Sequence, residues 1–359
     1  MKYKISEIGK VVGGGTPSTK HTEYYSKNGL AWITPKDLSD YHKKYIGHGT
    51  KDISEEGLKH SSAKLLPINS ILISSRAPIG YVAMAGTDLA TSQGFKSIIP
   101  DTTKILPDYL YYLMLRSKNK LERIASGSTF KEVSGREMSN FVVDIPELKI
   151  QKEIVQKLNP ISKEIEKNNV INDNLLELMD SRFNHFISNS KLTDATLSDI
   201  TDIHSGGNKP KEFSKVKTNK FCIPVYSNGV SNNGLYGFTN KAKVNERSVS
   251  ISARGTIGFT VLHNEPFVPI VRLIYLTSKS VPINFLYLFV RSMNIQGYGS
   301  TQQQITVPYL KSLKIKVPDI SEINKFDANN ISAFDLILEN KKENILLSDI
   351  KETLLNKYF

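Results

Sequence analysis

The apolar positions of this chain change their spacing three times. Up to residue 148 they come in short runs separated by Gly, Pro and Ser, the pattern of short β-strands. Examples are Leu30-Ala31-Trp32-Ile33, Ser70-Ile71-Leu72-Ile73 and Phe95-Lys96-Ser97-Ile98-Ile99. One amphipathic helix is expected after Pro107, through Tyr109, Leu110, Leu113 and Leu121. From 149 to 189 glycine vanishes and apolar residues take helical spacing: Ile154, Leu158, Ile161, Ile165, then Ile171, Leu175, Leu178, Met179, Phe183 and Phe186. At 1.5 Å per residue this predicts a helix of about 60 Å, which Pro160 should kink or delay. Residues 190–320 return to the β-rich style. Residues 321–359 repeat the helix, with a stripe at Phe334, Leu338, Ile345, Leu346, Ile350, Leu354 and Tyr358.

The layout repeats because the chain is written twice. Ile73-Ser74-Ser75-Arg76-Ala77-Pro78-Ile79-Gly80-Tyr81 reads against Ile251-Ser252-Ala253-Arg254-Gly255-Thr256-Ile257-Gly258-Phe259. Gly127-Ser128-Thr129 before Val133 reads against Gly299-Ser300-Thr301 before Ile305. Ile145-Pro146-Glu147-Leu148 reads against Val317-Pro318-Asp319-Ile320, and Ile5-Ser6-Glu7-Ile8 against Leu197-Ser198-Asp199-Ile200. The offset shrinks from about 190 to about 172 along the chain. In the helices Ile165 then matches Ile337, Leu175 matches Leu347, Leu178 matches Ile350, Phe183 matches Leu355 and Asn172 matches Asn344.

If the two stripes face each other, the helices run antiparallel, a pseudo-two-fold axis relates the halves, and the C-terminus returns to the first globule. The fold class expected is α+β: two β-rich domains (1–148 and 190–320) joined by two long antiparallel helices (149–189 and 321–359). Both helices are polar in the middle, at Asn168, Asn169 and Asn172 and at Asn340 and Asn344. A buried polar contact that fixes register, a solvated stretch and a docking face for another subunit all fit that pattern.

Composition narrows the class. The 359 residues are 39% hydrophobic and 23% charged, as in an ordinary globular protein. No apolar run reaches the roughly 18 residues of a membrane span, and no signal peptide is seen, so a cytoplasmic, membrane-free protein is expected. The single cysteine, Cys222, excludes an internal disulfide and is expected to be a small buried hydrophobe. A net charge of +12 points to a polyanionic partner.

Catalytic chemistry is missing. The seven histidines form no metal-ligand spacing, and Gly13-Gly14-Gly15-Thr16-Pro17 lacks the Gly-Lys-Ser/Thr ending of a phosphate-cradling loop. A strand-end turn explains that cluster better. There is no nucleophile elbow and no tetrapeptide of the kind that holds an extruded base. No catalytic residue, metal ligand or bound cofactor is expected.

What remains is a set of polar loops suited to DNA. Ser75-Arg76 and Arg254-Gly255-Thr256 place an arginine where a strand ends, able to meet guanine or phosphate, or equally to pair with a local carboxylate. Gln93, Lys96, Ser128, Thr129 and Lys131 lie in small-polar loops, and Thr301, Gln302 and Gln303 stand at the equivalent place in the second copy. Thr16, Ser18, Lys20 and Lys36 in the first half, and Lys209, Lys211 and Asn228 in the second, complete the candidates.

The block Trp32-Ile33-Thr34-Pro35-Lys36-Asp37-Leu38-Ser39, with Ser61-Ser62-Ala63-Lys64-Leu65-Leu66-Pro67, Ile73-Ser74-Ser75-Arg76-Ala77-Pro78-Ile79-Gly80, Gln93-Gly94-Phe95-Lys96-Ser97 and Ser126-Gly127-Ser128-Thr129-Phe130-Lys131-Glu132, resembles the specificity subunit of type I restriction-modification enzymes. The resemblance covers essentially the whole chain. It implies two target-recognition domains on double-stranded DNA, each reading half of a split site. It also implies two methyltransferase subunits as partners, restriction/translocase subunits in a full complex, and no catalysis by this chain. S-adenosylmethionine, ATP and Mg would serve the partners. A system that only methylates, or a fused nuclease or methyltransferase, is the alternative. The second half departs from the pattern: Ile223-Pro224-Val225-Tyr226-Ser227-Asn228 replaces the Ile-Thr-Pro-Lys-Asp block, and glutamines replace Phe130-Lys131-Glu132.

Overall fold

The computed structural model describes residues 1–39, 41, 43–127, 131–293, 295 and 304–359. The chain divides into two compact units, Met1–Asn168 with Lys342–Phe359, and Asn169–Lys341.

In the first unit a sheet orders its strands Gly9–Gly13, Lys96–Pro100, Ile71–Ile73, Val82–Ala85 and Tyr45–Ile46. Ile71, Leu72 and Ile73 are buried on both faces, which is why this strand is a continuous apolar run. A second sheet orders Tyr25–Ser26, Lys51–Ile53, Leu30–Ile33 and Ala90–Thr91. Pro107, whose missing N–H costs nothing in a first turn, starts a helix that ends at Arg116. The helix expected to run on through Leu121 is instead broken at Ser117, whose hydroxyl donates to the Leu113 carbonyl at 2.8 Å, and a separate helix spans Lys118–Ile124. Tyr109, Leu110 and Tyr112 pack with Ile71, Ile73, Met84 and Ile98 on the sheet, and with Ile154, Leu158 and Leu355 from the long helices.

The second unit repeats this in a shorter form. Its main sheet orders Thr201–Ser205, Ile274–Ser278, Ser248–Ile251 and Thr260–His263, the same path as the first four strands above. Ile223–Tyr226 pairs in parallel with Val268–Pro269, as Leu30–Ile33 pairs with Ala90–Thr91. The segment that replaces the Ile-Thr-Pro-Lys-Asp block therefore keeps its place in the topology. The helix Ile283–Ser292 brings Phe285 and Phe289 within 5.6 and 6.3 Å of Phe183, ring to ring.

The long helices run Leu148–Asn189 and Ile320–Tyr358. At 42 residues the first is about 63 Å long, and Pro160 lies inside it rather than delaying it. Tertiary contacts hold both sides of the proline. Asn159 Oδ1 accepts from Lys44 Nζ at 2.7 Å and from the Tyr112 hydroxyl at 2.9 Å, and Ser162 Oγ lies 3.0 Å from the same hydroxyl. Within the first unit Asn168 Nδ2 donates to Glu343 Oε2 and to Asn344 Oδ1, at 2.8 and 3.1 Å. Within the second, Asn340 Nδ2 donates to Asn172 Oδ1 at 2.9 Å. With Lys157 Nζ donating to the Tyr358 hydroxyl at 3.2 Å in the first unit, and Arg182 Nη1 to Asn330 Oδ1 at 3.0 Å in the second, residue numbers rise on one helix as they fall on the other within each unit, so the segments are antiparallel.

Of the expected pairing residues, Asn172, Phe183, Ile337 and Leu355 are buried, and Ile165, Leu175, Asn344 and Leu347 are half-buried. Leu178 and Ile350, at 44% and 50% exposed, are a correction as helix-pairing residues only, since the partner-subunit contact also expected of these positions needs an exposed side chain. Met179 takes the inward place beside Leu178, because it lies four residues before Phe183 on the same helix face. Among the described residues no helix is long and apolar enough to cross a membrane.

Candidate nucleic-acid interface

The two copies build one loop scaffold with matching backbone bonds. In the first, Ser74 N–H donates to Tyr81 O and Gly80 N–H to Ser74 O, both at 2.9 Å. In the second, Ser252 N–H donates to Phe259 O at 2.9 Å and Gly258 N–H to Ser252 O at 3.0 Å. Gly80 and Gly258 sit at φ +86° and +83°, left-handed backbone that favours glycine, so the repeated Ile-Gly pair is scaffold. A second brace also repeats: Val133 N–H donates to Ser75 O at 2.9 Å, and Ile305 N–H to Ala253 O at 3.1 Å.

On this scaffold each arginine is held by the side chain beside the brace. Arg76 Nε donates to Glu132 Oε2 at 2.9 Å, while Lys96 Nζ donates to Glu132 Oε1 at the same distance. Burial pushes the Glu132 carboxyl up, but the bonds from Lys96 and Arg76 outweigh it and hold it below the ordinary carboxylate range. Arg254 donates through Nε and Nη2 to Gln304 Oε1, at 3.1 and 2.9 Å.

The other candidates divide into three groups. Thr16, Ser18, Lys20, Lys36, Gln93, Lys131, Lys209, Lys211 and Thr256 are exposed, and Thr16 Oγ1 accepts from Gln93 N–H at 3.5 Å. Asn228 is half-buried and works as a clamp: it accepts from Ala253 N–H at 2.7 Å and donates to Val271 O at 2.8 Å. Ser75 is a correction. It is fully buried just beyond the strand Ile71–Ile73, where its carbonyl accepts from Val133 N–H, so its hydroxyl is not presented at the surface. Ser128, Thr129, Thr301, Gln302 and Gln303 lie outside the described residues.

Sequence reasoning missed two features. Val271 and Arg272, exposed at φ +52° and +60°, occupy the turn that Gln93-Gly94 forms in the first copy. Lys209 and Lys211 belong to a larger basic segment with Lys215, Lys217 and Lys220, whose lysine density was visible in the sequence. Lys209 Nζ lies 3.8 Å from the Phe213 ring centre, and Lys215 Nζ 3.7 Å from that of Tyr236. Cys222, expected inside, is exposed at the end of this segment. Gly13-Gly14-Gly15 is a close backbone approach: a Cβ on Gly14 would stand 2.0 Å from the Ser92 carbonyl oxygen. His263 is buried, 2.7 Å from Ser250 Oγ and stacked on Phe267.

The chain matches the model of the type I restriction modification DNA specificity domain twice, over residues 1–176 and 189–347. It belongs to that family. It is 30% identical to the type I restriction enzyme MjaIX specificity subunit of Methanocaldococcus jannaschii, over 99% of this chain and 91% of that one. It is 22% identical to the EcoprrI specificity subunit of Escherichia coli, over 90% of this chain and 86% of the other. Its fold is that of the type I restriction-modification S subunit from M. genitalium, with a TM-score of 0.61 at 16% identity, covering 100% of this chain and 96% of that one. The duplicated scaffold is thus the family's DNA specificity domain, present twice.

Proposed function

We propose that this chain reads a split DNA site for a type I restriction-modification complex, each β-rich domain meeting one half-site across a spacer of no fixed sequence. The observation that best supports this is duplication with divergence. The braces at Val133 and Ile305 are the same, whereas the side chains around them differ: Lys96 against Ile274, Glu132 against Gln304, Gly94 against Arg272. Two readers of different half-sites need one scaffold and two sets of loops, because base identity is read by side chains at the groove edge. The long helices set the distance between half-sites and offer the docking face for two methyltransferase subunits, and for restriction/translocase subunits in a full complex. The chain supplies recognition; methyl transfer with S-adenosylmethionine and ATP- and Mg-dependent work belong to the partners. Mapping methylated adenines genome-wide in cells with and without this chain tests the reading. One bipartite motif should disappear with the chain, and an unchanged methylation map would sink the proposal.

A further inference from the structure

Lys96 and Glu132 of the first copy correspond to Ile274 and Gln304 of the second. Lys96 opens a strand and pairs with Gly13, the last residue of its neighbour, as Ile274 pairs with Ser205. Glu132 and Gln304 each immediately precede the brace residue, Val133 or Ile305. The exchange is therefore double: a cation and an anion are lost together. In the first copy two cations share one carboxylate, leaving one net positive charge. In the second, Arg254 keeps its whole charge against a neutral amide. No Asp or Glu occurs between Glu265 and Asp319, and among the described residues no carboxylate pairs with Arg254.

In both copies the guanidinium Nε is tied to a side-chain oxygen. Lys96 is only 14% exposed, whereas Arg76 is 44% exposed, so the net charge of the first copy is presented at the arginine. We infer that Arg76 and Arg254 are equivalent anchors for one DNA backbone phosphate each, and that Lys96–Glu132 and Ile274–Gln304 are two charge-balanced settings that position them. The inference rests on the DNA-reading role proposed above and adds which residues supply the sequence-independent contact.

The test uses the full chain and a 40-base-pair duplex of random sequence, with affinity measured across a salt series. Each phosphate contact contributes about 0.9 to the slope of log affinity against log salt. Arg76→Gln and Arg254→Gln should each lower the slope by about 0.9, and together by about 1.8. Lys96→Ile alone neutralises the first site and should also lower it by about 0.9. Adding Glu132→Gln builds the second copy's arrangement in the first and should restore the parent slope, which a purely structural role for Glu132 would not do. A folded double variant that stays at the single variant's slope overturns the inference and leaves the DNA-reading role standing. Gln304→Glu decides independently of any folding defect around Lys96: it should lower the slope by about 0.9, and an unchanged slope overturns the inference. A parent chain that does not bind the duplex overturns both.

Discussion

Asn340 donates a 2.9 Å hydrogen bond to Asn172, and both residues are more than nine-tenths buried. At the repeat offset of 172, Asn340 is the copy of Asn168 and Asn344 the copy of Asn172, so the bond between Asn168 and Asn344 is the same contact made a second time. Of the readings the polar helix centres allowed, the register-fixing contact is the one these geometries support. Asn172→Ala leaves the Asn340 amide buried without its acceptor, and should cost about 1–3 kcal/mol in urea unfolding. Asn172→Leu with Asn340→Leu should recover that stability while removing the register preference. A single variant as stable as the parent would show that the bond contributes nothing.

His263 sets an acid limit on the second unit. Burial, with a smaller contribution from the Lys341 charge, lowers its pKa from the ordinary 6.5 to about 3. The folded state therefore holds a neutral imidazole where the unfolded chain takes up a proton. Its contribution is intact above pH 6.5 and is lost as pH falls from about 6.5 towards 3, by up to about 1.4 kcal/mol per unit. Unfolding curves between pH 7 and 4 should show that loss. His263→Phe combined with Ser250→Ala, which removes the hydroxyl 2.7 Å from the ring, should flatten the profile. An unchanged slope in the double variant would place the acid sensitivity elsewhere.

Periodicity made much of this legible. The helix stripes, the duplicated Ile-Gly turns and the apolar strands follow from short-range spacing, which a linear chain displays directly. Choices set by distant partners were hidden. Leu178 and Met179 are neighbours of similar polarity, and the core built by Phe285 and Phe289, more than 100 residues on, is what takes Met179 in together with Phe183. Arg76 finds Glu132 across 56 residues, so its ion pair could be posed as an alternative but not located. The break at Ser117 depends on a hydroxyl choosing a backbone acceptor, and Cys222 is exposed although the next residue, Ile223, packs with Phe213 against the buried cluster of Val225, Val268 and Ile270.

Val271 is strained. A β-branched residue at φ +52° costs about 1–3 kcal/mol, held here by Val271 N–H donating to Gly207 O at 2.9 Å and by the Asn228 clamp. Val271→Gly should raise the urea midpoint, by about 1 kcal/mol in stability, while loosening the turn that presents Arg272. Arg272→Gln should leave stability unchanged and weaken binding to the parent site by about 1–3 kcal/mol while sparing random duplex, as loss of a base-reading side chain would. A Val271→Gly variant less stable than the parent would mean that the valine's contacts outweigh its backbone strain.

Helix length should set the spacer. Inserting seven residues into both helices at their asparagine-bearing centres keeps each apolar stripe within about 20° of its face and adds about 10 Å. At about 3.4 Å per base step this corresponds to roughly three base pairs. The same three steps rotate the duplex by close to a third of a turn, so the lengthened site should be read with lower affinity than the parent site. Both half-sites should persist, because the reading loops are untouched, and the spacer between them should grow. Methylation mapping in cells carrying the lengthened chain measures this directly: an original spacer at full occupancy would refute the ruler, and an altered half-site would mean that the helices take part in base recognition.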